Sequence, residues 1–227
     1  MAATAGAFRA RTACDCVRLS VYGDSDPASD ETTREDYASA VIGALRGLNI
    51  KQAHVCGLSL GGVIAIAMYA QAPQLCASLI IADSFAFHPD GGAIYERSLA
   101  GSRDMRAMAE ARVDFLLAQP PDADVRSEVV ETMSRIDPAS YRIGANAVWL
   151  ADQRDRASRI AALTLILCGE EDSATPPLLS RELHGMIPNS QIAMISGAGH
   201  LANIERPDRF NELVDAFVRG VDASGTS

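Results

Sequence analysis

Residues 53–70 place the tightest constraint on how this chain can fold. A short apolar run, Ala53-His54-Val55-Cys56, leads into Gly57-Leu58-Ser59-Leu60-Gly61-Gly62, and a long Ala/Ile/Met run, Val63 to Ala70, leads out. A strand that turns straight into a helix around one serine brings backbone segments close together. Glycines two residues to either side of Ser59 suit that crowding. The serine then stands at the start of the helix with its hydroxyl exposed, and the first helical amides point toward negative charge developing beside it. Gly-x-Ser-x-Gly alone is a weak pattern. The strand before it and the helix after it make it a nucleophile elbow.

Two further segments have the same strand-then-loop form. Leu163-Thr164-Leu165-Ile166-Leu167-Cys168 reads as a buried strand that ends in Gly169-Glu170-Glu171-Asp172, with Pro176-Pro177 beyond. Gln191-Ile192-Ala193-Met194-Ile195 is a second short strand, running into Ser196-Gly197-Ala198-Gly199-His200. Asp172 and His200 therefore both follow the carboxyl ends of strands, where open α/β sheets build their sites. Taken singly, the aspartate reads as a helix cap and the histidine as a solvated loop residue. The chain order Ser59, Asp172, His200 is the order nucleophile, acid, base, so the three are expected to act together. Asp83 also follows a strand and is a rival for the acid role, with a turn role as its simpler explanation.

The chain's 227 residues suffice for one substantial domain or a domain with an inserted cap. A net charge of −9 without a basic cluster argues against a nucleic-acid partner. The apolar runs stop short of membrane-spanning length, and the first residues hold no continuous apolar signal core. We therefore expect a cytoplasmic protein without a membrane partner, with homo-oligomerisation left open. Met1 to Thr12 faintly resembles an organelle transit segment, but a disordered or misassigned start is preferred. Five cysteines form no framework; Cys56, Cys76 and Cys168 sit in or beside apolar segments like reduced core thiols. Cys14-Asp15-Cys16 is too close-set for a metal site, and the four histidines show no ligand spacing. No metal and no cofactor are expected.

Thr32 or Thr33, three residues ahead of Glu35 or Asp36, forms a capping-box pattern before Tyr37, Val41, Leu45 and Leu48 at helical spacing. The elbow helix should end near Pro73, and Ser78-Leu79-Ile80-Ile81-Ala82 reads as the next buried strand. Strand alternating with helix is the rhythm of a mostly parallel sheet flanked by helices. From residue 84 to 159 charged helical segments interrupt it, around Met105 to Leu117, Arg126 to Ile136 and Tyr141 to Leu150, with breaks at Pro120-Pro121 and Asp137-Pro138. Helices near Pro177 to Met186 and Pro207 to Arg219 then close the pattern. The expected division is an irregular segment 1–16, a core of 17–83 and 160–221, and a helical cap insertion, 84–159.

From about Tyr22 to the end of the last helix these residues resemble the α/β-hydrolase superfamily, and within it the 3-oxoadipate enol-lactonase group. The likeness rests on Gly57 to Gly62, on Cys168-Gly169-Glu170-Glu171-Asp172 with Thr175-Pro176-Pro177, and on Gly199-His200-Leu201-Ala202-Asn203-Ile204-Glu205-Arg206-Pro207. Ile136-Asp137-Pro138 through Trp149 and Asp152-Gln153 look similar too. Related esterases and carbon–carbon bond hydrolases share much of this. The resemblance implies three strands ahead of the region like Tyr22-Gly23-Asp24-Ser25-Asp26, and a His-Gly loop that gives a backbone amide to the oxyanion hole. This chain shows no such loop, and the family's Asp-x-Arg-Gly stands here as Arg18-Leu19-Ser20-Val21. The expected fold is therefore an α/β-hydrolase fold with an inserted helical cap, lacking the first strands, with the edge of the elbow strand left open unless something replaces its neighbour.

The resemblance implies a serine hydrolase acting on an ester or lactone of a small carboxylic substrate. Its catalytic residues would be Ser59, Asp172 and His200, with the Leu60 backbone amide as oxyanion donor. A missing second donor costs about 2.7–4 kcal/mol, roughly 10²–10³ in turnover, so activity would be impaired rather than altered in kind. Trp149 either lines the substrate pocket or packs the cap. Arg135 and Arg142 either pair with a substrate carboxylate or lie on solvated helix faces. A hydrolase-like scaffold that binds a small molecule with little turnover is the alternative, and an incomplete gene product that folds poorly is the third.

Overall fold

The computed structural model describes residues 31–225. The expectations about Met1 to Thr12, Cys14 and Cys16, Arg18 to Val21, Tyr22 to Asp26 and the absent first strands fall outside those residues.

In chain order the described elements are α1 (Arg34–Gly47), β1 (Ala53–Leu58), α2 (Leu60–Gln71), a 3-10 turn (Pro73–Leu75) and β2 (Cys76–Ala82). Five helices follow: α3 (Gly91–Gly101), α4 (Met105–Leu116), α5 (Ala123–Ser134), α6 (Pro138–Trp149) and the short α7 (Arg154–Ala157). The alternation then resumes with β3 (Thr164–Gly169), α8 (Pro177–Met186), β4 (Ser190–Ile195), the short α9 (Ala202–Glu205) and α10 (Pro207–Gly225). The four strands form one parallel sheet in the order β1-β2-β3-β4.

The two central strands are largely apolar and almost wholly buried because both faces are covered. Successive side chains alternate between faces, which divides the core in two. Leu79, Ile81 and Ile166 pack with Tyr37 and Ile42 of α1, Ile66 and Met68 of α2 and Leu183 of α8. Ile80, Leu165 and Leu167 pack on the other side with Phe210 and Val214 of α10. Thr33 caps α1 in a reciprocal box: its hydroxyl accepts from Asp36 N while Asp36 Oδ2 accepts from Thr33 N. Asp104, Asp122 and Asp137 cap α4, α5 and α6 in the same spirit. Both Pro breaks fall between helices, as expected. No described helix is long and apolar enough to cross a membrane.

Three local expectations need correction. Helix α3 was not foreseen, because Gly91-Gly92 at its start weakens any helical pattern; Gly91 is there for close packing, since a Cβ would stand 2.0 Å from the Trp149 carbonyl oxygen. Cys56 is exposed rather than buried, on the edge strand of the described sheet. At the elbow, the crowded glycines are Gly57 and Gly62. A Cβ on Gly57 would lie 2.1 Å from the Gly61 oxygen, and one on Gly62 would lie 2.6 Å from the Ser84 side chain. A Cβ on Gly61 meets nothing within 4 Å.

This contrast gives a direct test. Gly57→Ala should lower stability by more than about 2 kcal/mol, because backbone must move to admit the methyl. Gly61→Ala, in the first turn of α2, should be neutral or gain up to about 1 kcal/mol from helix propensity. Urea unfolding of the two variants checks both, and equal losses would count against this account of the turn.

Candidate active site

Parallel pairing brings the carboxyl ends of all four strands to one rim. Leu58 is level with Ala82, Ala82 with Leu167, and Gly169 with Ile195. The residues just beyond are Ser59, Asp83, the Glu170 to Asp172 turn and the loop to His200. The ladder continues into these loops: Ser59 N donates to Ala82 O, Asp83 N to Leu167 O, and Glu170 N to Ile195 O.

Ser59 adopts φ 54° and ψ −115°, a left-handed conformation uncommon outside glycine. Such a residue costs of order 1–3 kcal/mol and persists only where its surroundings over-determine it. Here the Ser59 carbonyl accepts from Gly62 N at 2.9 Å, Val63 N at 3.2 Å and the Ser84 hydroxyl at 2.8 Å. With its backbone so fixed, the Ser59 hydroxyl lies 2.9 Å from His200 Nε2. His200 Nδ1 lies 2.9 Å from Asp172 Oδ2. The structure thus brings together the three residues that the sequence singled out.

Both oxygens of Asp172 are occupied. Oδ1 accepts from the Ala174 and Thr175 backbone N–H groups at 2.8 Å each, and Oδ2 accepts from the Thr175 hydroxyl at 2.6 Å as well as from His200. A carboxylate at Asp172 draws the proton of a neutral imidazole to Nδ1, which leaves the Nε2 lone pair for the serine hydroxyl. Burial acts to raise the Asp172 pKa, but the His200 and Thr175 hydrogen bonds and the His200 charge outweigh it, holding the carboxyl below its usual range. Burial likewise acts to depress His200, and the hydrogen bond and charge of Asp172 overcome it, so the imidazole sits above its ordinary value. Thr175 escaped the sequence reading as a hydrogen-bonding partner. Its signal was the three-residue spacing after Asp172, which lets one carboxylate collect the backbone and hydroxyl donors of a single turn.

The His200 loop is anchored from outside the sheet. His200 N donates to the Leu116 carbonyl at 2.8 Å, and the Glu205 carboxylate bridges Ala118 N at 2.7 Å and Gly199 N at 2.8 Å. Gly199 permits this approach, since a Cβ would lie 2.7 Å from both Ala118 N and Leu116 O. Leu60 N, at the first position of α2, has no backbone acceptor among the described residues. It stands next to Ser59, at the N-terminal end of the helix.

Asp83 does not bond His200. Its Oδ1 accepts from Gly169 N at 2.8 Å, tying β2 to β3, and its backbone also has positive φ, 46°. Burial, with the Asp172 charge adding to it, pushes the Asp83 carboxyl up to about 7. Asp83, Cys168 and Asp172 offer ligand atoms within 4.8 Å of one another. Both oxygens of Asp172 are already engaged, however, and burial first of all pushes the Cys168 thiol up to about 12, which disfavours the thiolate a metal would need.

Trp149 is buried, stacked on Phe85 at 5.9 Å with His88 edge-on at 5.6 Å. The packing alternative describes it, and its contacts give no support to a substrate-lining role. Arg135 lies on an exposed helix face paired with Glu131 at 2.7 Å. Arg142 reaches the Ser102 hydroxyl, at 3.5 Å. A cavity of about 470 Å³ lined by Phe87, Arg154, Leu179 and Met186 includes none of Ser59, Asp172 and His200.

Asp83 gives the site a stability signature. Below about pH 4 the group is protonated whether the chain is folded or not. As pH rises from there to about 7 the unfolded chain ionises while the folded one resists, so stability falls, by on the order of 4 kcal/mol once the pH exceeds 7. Asp83→Asn keeps the acceptor for Gly169 N and tolerates positive φ. The variant's stability relative to the parent should therefore climb between pH 5 and pH 8 in urea titrations; a difference independent of pH would contradict the raised value.

Comparison with known proteins agrees with this architecture. The sequence profile of the alpha/beta hydrolase family matches residues 2–213, beginning well ahead of Tyr22. The 3-oxoadipate enol-lactonase 1 of Acinetobacter baylyi is 26% identical over 204 residues, which cover 88% of this chain and 76% of that protein. The 2-hydroxymuconate semialdehyde hydrolase of Pseudomonas putida is 28% identical over 232 residues, 96% of this chain and 82% of its own length. Among solved structures, the enol-lactonase from Burkholderia xenovorans matches with a TM-score of 0.81 at 25% identity, over 88% of this chain and 78% of that one. With a strand-to-helix elbow at Ser59, a parallel sheet that gathers its loops on one rim, and a family profile spanning nearly the whole sequence, the chain belongs to the alpha/beta hydrolase family.

Proposed function

We propose that this protein is a serine hydrolase that cleaves an ester or lactone of a small carboxylic substrate, in the manner the enol-lactonase likeness suggests. The observation that carries this reading is the unbroken hydrogen-bonded chain from Ser59 Oγ through His200 to Asp172, at 2.9 Å for each link. In the first half-reaction Ser59 Oγ attacks the carbonyl carbon while its proton passes to His200 Nε2. The resulting oxyanion takes the Leu60 N–H and the positive end of α2. Collapse breaks the carbon–oxygen bond, and the Nε2 proton goes to the departing oxygen, which in a lactone stays tethered to the acyl group. In the second half-reaction water gives a proton to Nε2 and attacks the acyl carbon; the acyl–Oγ bond then breaks, Ser59 Oγ takes the Nε2 proton, and the acid leaves. Asp172 stabilises the imidazolium in both halves.

Residues 84–159 serve as a cap in this reading. Support comes from the contact of Leu116 and Ala118 with the His200 loop, which sets α4 directly beside the triad.

Two outcomes test the proposal. An activated aryl ester in excess over the enzyme should give a burst of phenol approaching one equivalent per enzyme as the acyl-serine accumulates, and Ser59→Ala should abolish it; equal rates in both proteins would overturn the mechanism. In the parent, kcat/KM should rise with pH as His200 loses its proton, at a midpoint above the ordinary histidine value. Asp172→Asn removes the group that lifts that midpoint while burial remains, so the acid limb should move to lower pH. Its kcat should fall by roughly 10³–10⁴, the scale found when this acid is neutralised in serine proteases.

A further inference from the structure

We propose that Ser84 is a positioning residue for the oxyanion donor: by holding the Ser59 carbonyl, its hydroxyl aims the Leu60 N–H at the place where the oxyanion forms. This rests on the hydrolytic reading above and adds a residue to it. The Ser59 carbonyl and the Leu60 N–H belong to one peptide unit, and that unit is planar and trans, so the two groups point in opposite directions. Whatever fixes the carbonyl fixes the donor. Three groups donate to that oxygen: Gly62 N at 2.9 Å, Val63 N at 3.2 Å and the Ser84 hydroxyl at 2.8 Å. The first two belong to α2 and move with it. Ser84 stands two residues past the end of β2, so its bond, alone of the three, ties the peptide to the sheet.

The hydroxyl is itself held from several sides. Ser84 is buried, and a Cβ on Gly62 would lie 2.6 Å from both its Cβ and its Oγ, so the side chain already stands against α2. Its neighbour Asp83 is tied to β3 twice, through Asp83 N to Leu167 O at 2.9 Å and through Gly169 N to Asp83 Oδ1 at 2.8 Å. Ala82 O accepts from Ser59 N at 2.9 Å. Residues 82–84 therefore grip both backbone groups of the nucleophile, while their middle member grips the strand that leads to Asp172. The positive φ of Ser59 makes this grip matter, since an unfavourable conformation relaxes once a restraint on it is lost. A hydrogen bond to the carbonyl also polarises the amide and strengthens its N–H as a donor. Removing the Ser84 hydroxyl leaves the α2 donors in place but releases the peptide plane from the sheet.

The test uses an alkyl trifluoromethyl ketone, whose carbonyl carbon bonds reversibly to Ser59 Oγ while the Oγ proton passes to His200 Nε2 and the ketone oxygen becomes the oxyanion. The corresponding secondary alcohol binds without forming that charge and serves as the ground-state control. In Ser84→Ala the ketone's inhibition constant should rise about tenfold and kcat/KM for a 4-nitrophenyl ester should fall by the same factor, less than the roughly 10²–10³ lost with a whole donor. Binding of the alcohol should stay as in the parent. Ser84→Cys keeps the bulk but donates weakly, so it should behave as Ser84→Ala does. Ser98→Ala removes a buried hydroxyl that donates to the Ile94 carbonyl at 2.8 Å in α3, and it should alter neither value. Unchanged ketone affinity in Ser84→Ala, equal weakening of ketone and alcohol, or full recovery in Ser84→Cys would overturn the assignment, while the hydrolytic reading would stand on the parent's own ester cleavage. A parent that neither cleaves the ester nor binds the ketone more tightly than Ser59→Ala does would overturn the hydrolytic reading and the assignment with it.

Discussion

The parallel register of four short strands is the constraint from which the rest follows. Residues 59, 172 and 200 are far apart in sequence, yet each stands a few residues past the end of a strand, and Leu58, Ala82, Leu167 and Gly169 hold those ends level. A slip of one residue would turn the apolar side chains of β2 and β3 to the wrong faces and break both core layers at once. The hydrophobic core thereby fixes the relative placement of Ser59, Asp172 and His200. The buried runs Leu79 to Ala82 and Thr164 to Cys168 specify register far more strongly than any contact within the site could.

Against that rigid frame the site concentrates its unfavourable terms. Ser59 and Asp83 both occupy positive φ, and three ionisable groups, Asp83, Asp172 and His200, are buried together. The two carboxyls diverge in consequence. Asp172 has four donors and stays ionised; Asp83, bonded to Gly169 N and otherwise desolvated, keeps its proton to about 7. Two neighbouring anions would compete for one imidazolium, so holding the second one neutral leaves Asp172 in sole command of the His200 tautomer.

Much of this was legible in the sequence because it depends on local pattern. Apolar strand runs with a glycine at or just past their ends locate the rim, Thr33 with Asp36 locates the start of α1, and the proline pairs locate breaks between helices. What escaped depends on through-space approach. Gly61 and Gly57 are indistinguishable as letters, yet only Gly57 faces backbone, because the helix turns back over one side of the strand. Cys56 sits in an apolar run but at the edge of the described sheet. Gly91-Gly92 hid α3, since the need to pass under the Trp149 carbonyl overrides helix propensity there.

The helices between β2 and β3 also hold the histidine loop. Histidine loops that follow an edge strand have sheet on one side only, and here β4 closes the described sheet. The backbone of residues 116–118 supplies the missing side, through Leu116 O to His200 N and through Glu205 between Ala118 and Gly199. Glu205 is itself pushed upward in pKa by burial, partly offset by the N–H groups it binds, so this clasp is formed at a cost that surface loops avoid. A helix that must hold the base in place cannot drift independently of it. Side chains on that helix therefore keep a fixed relation to His200 and Ser59, which a mobile lid would not provide.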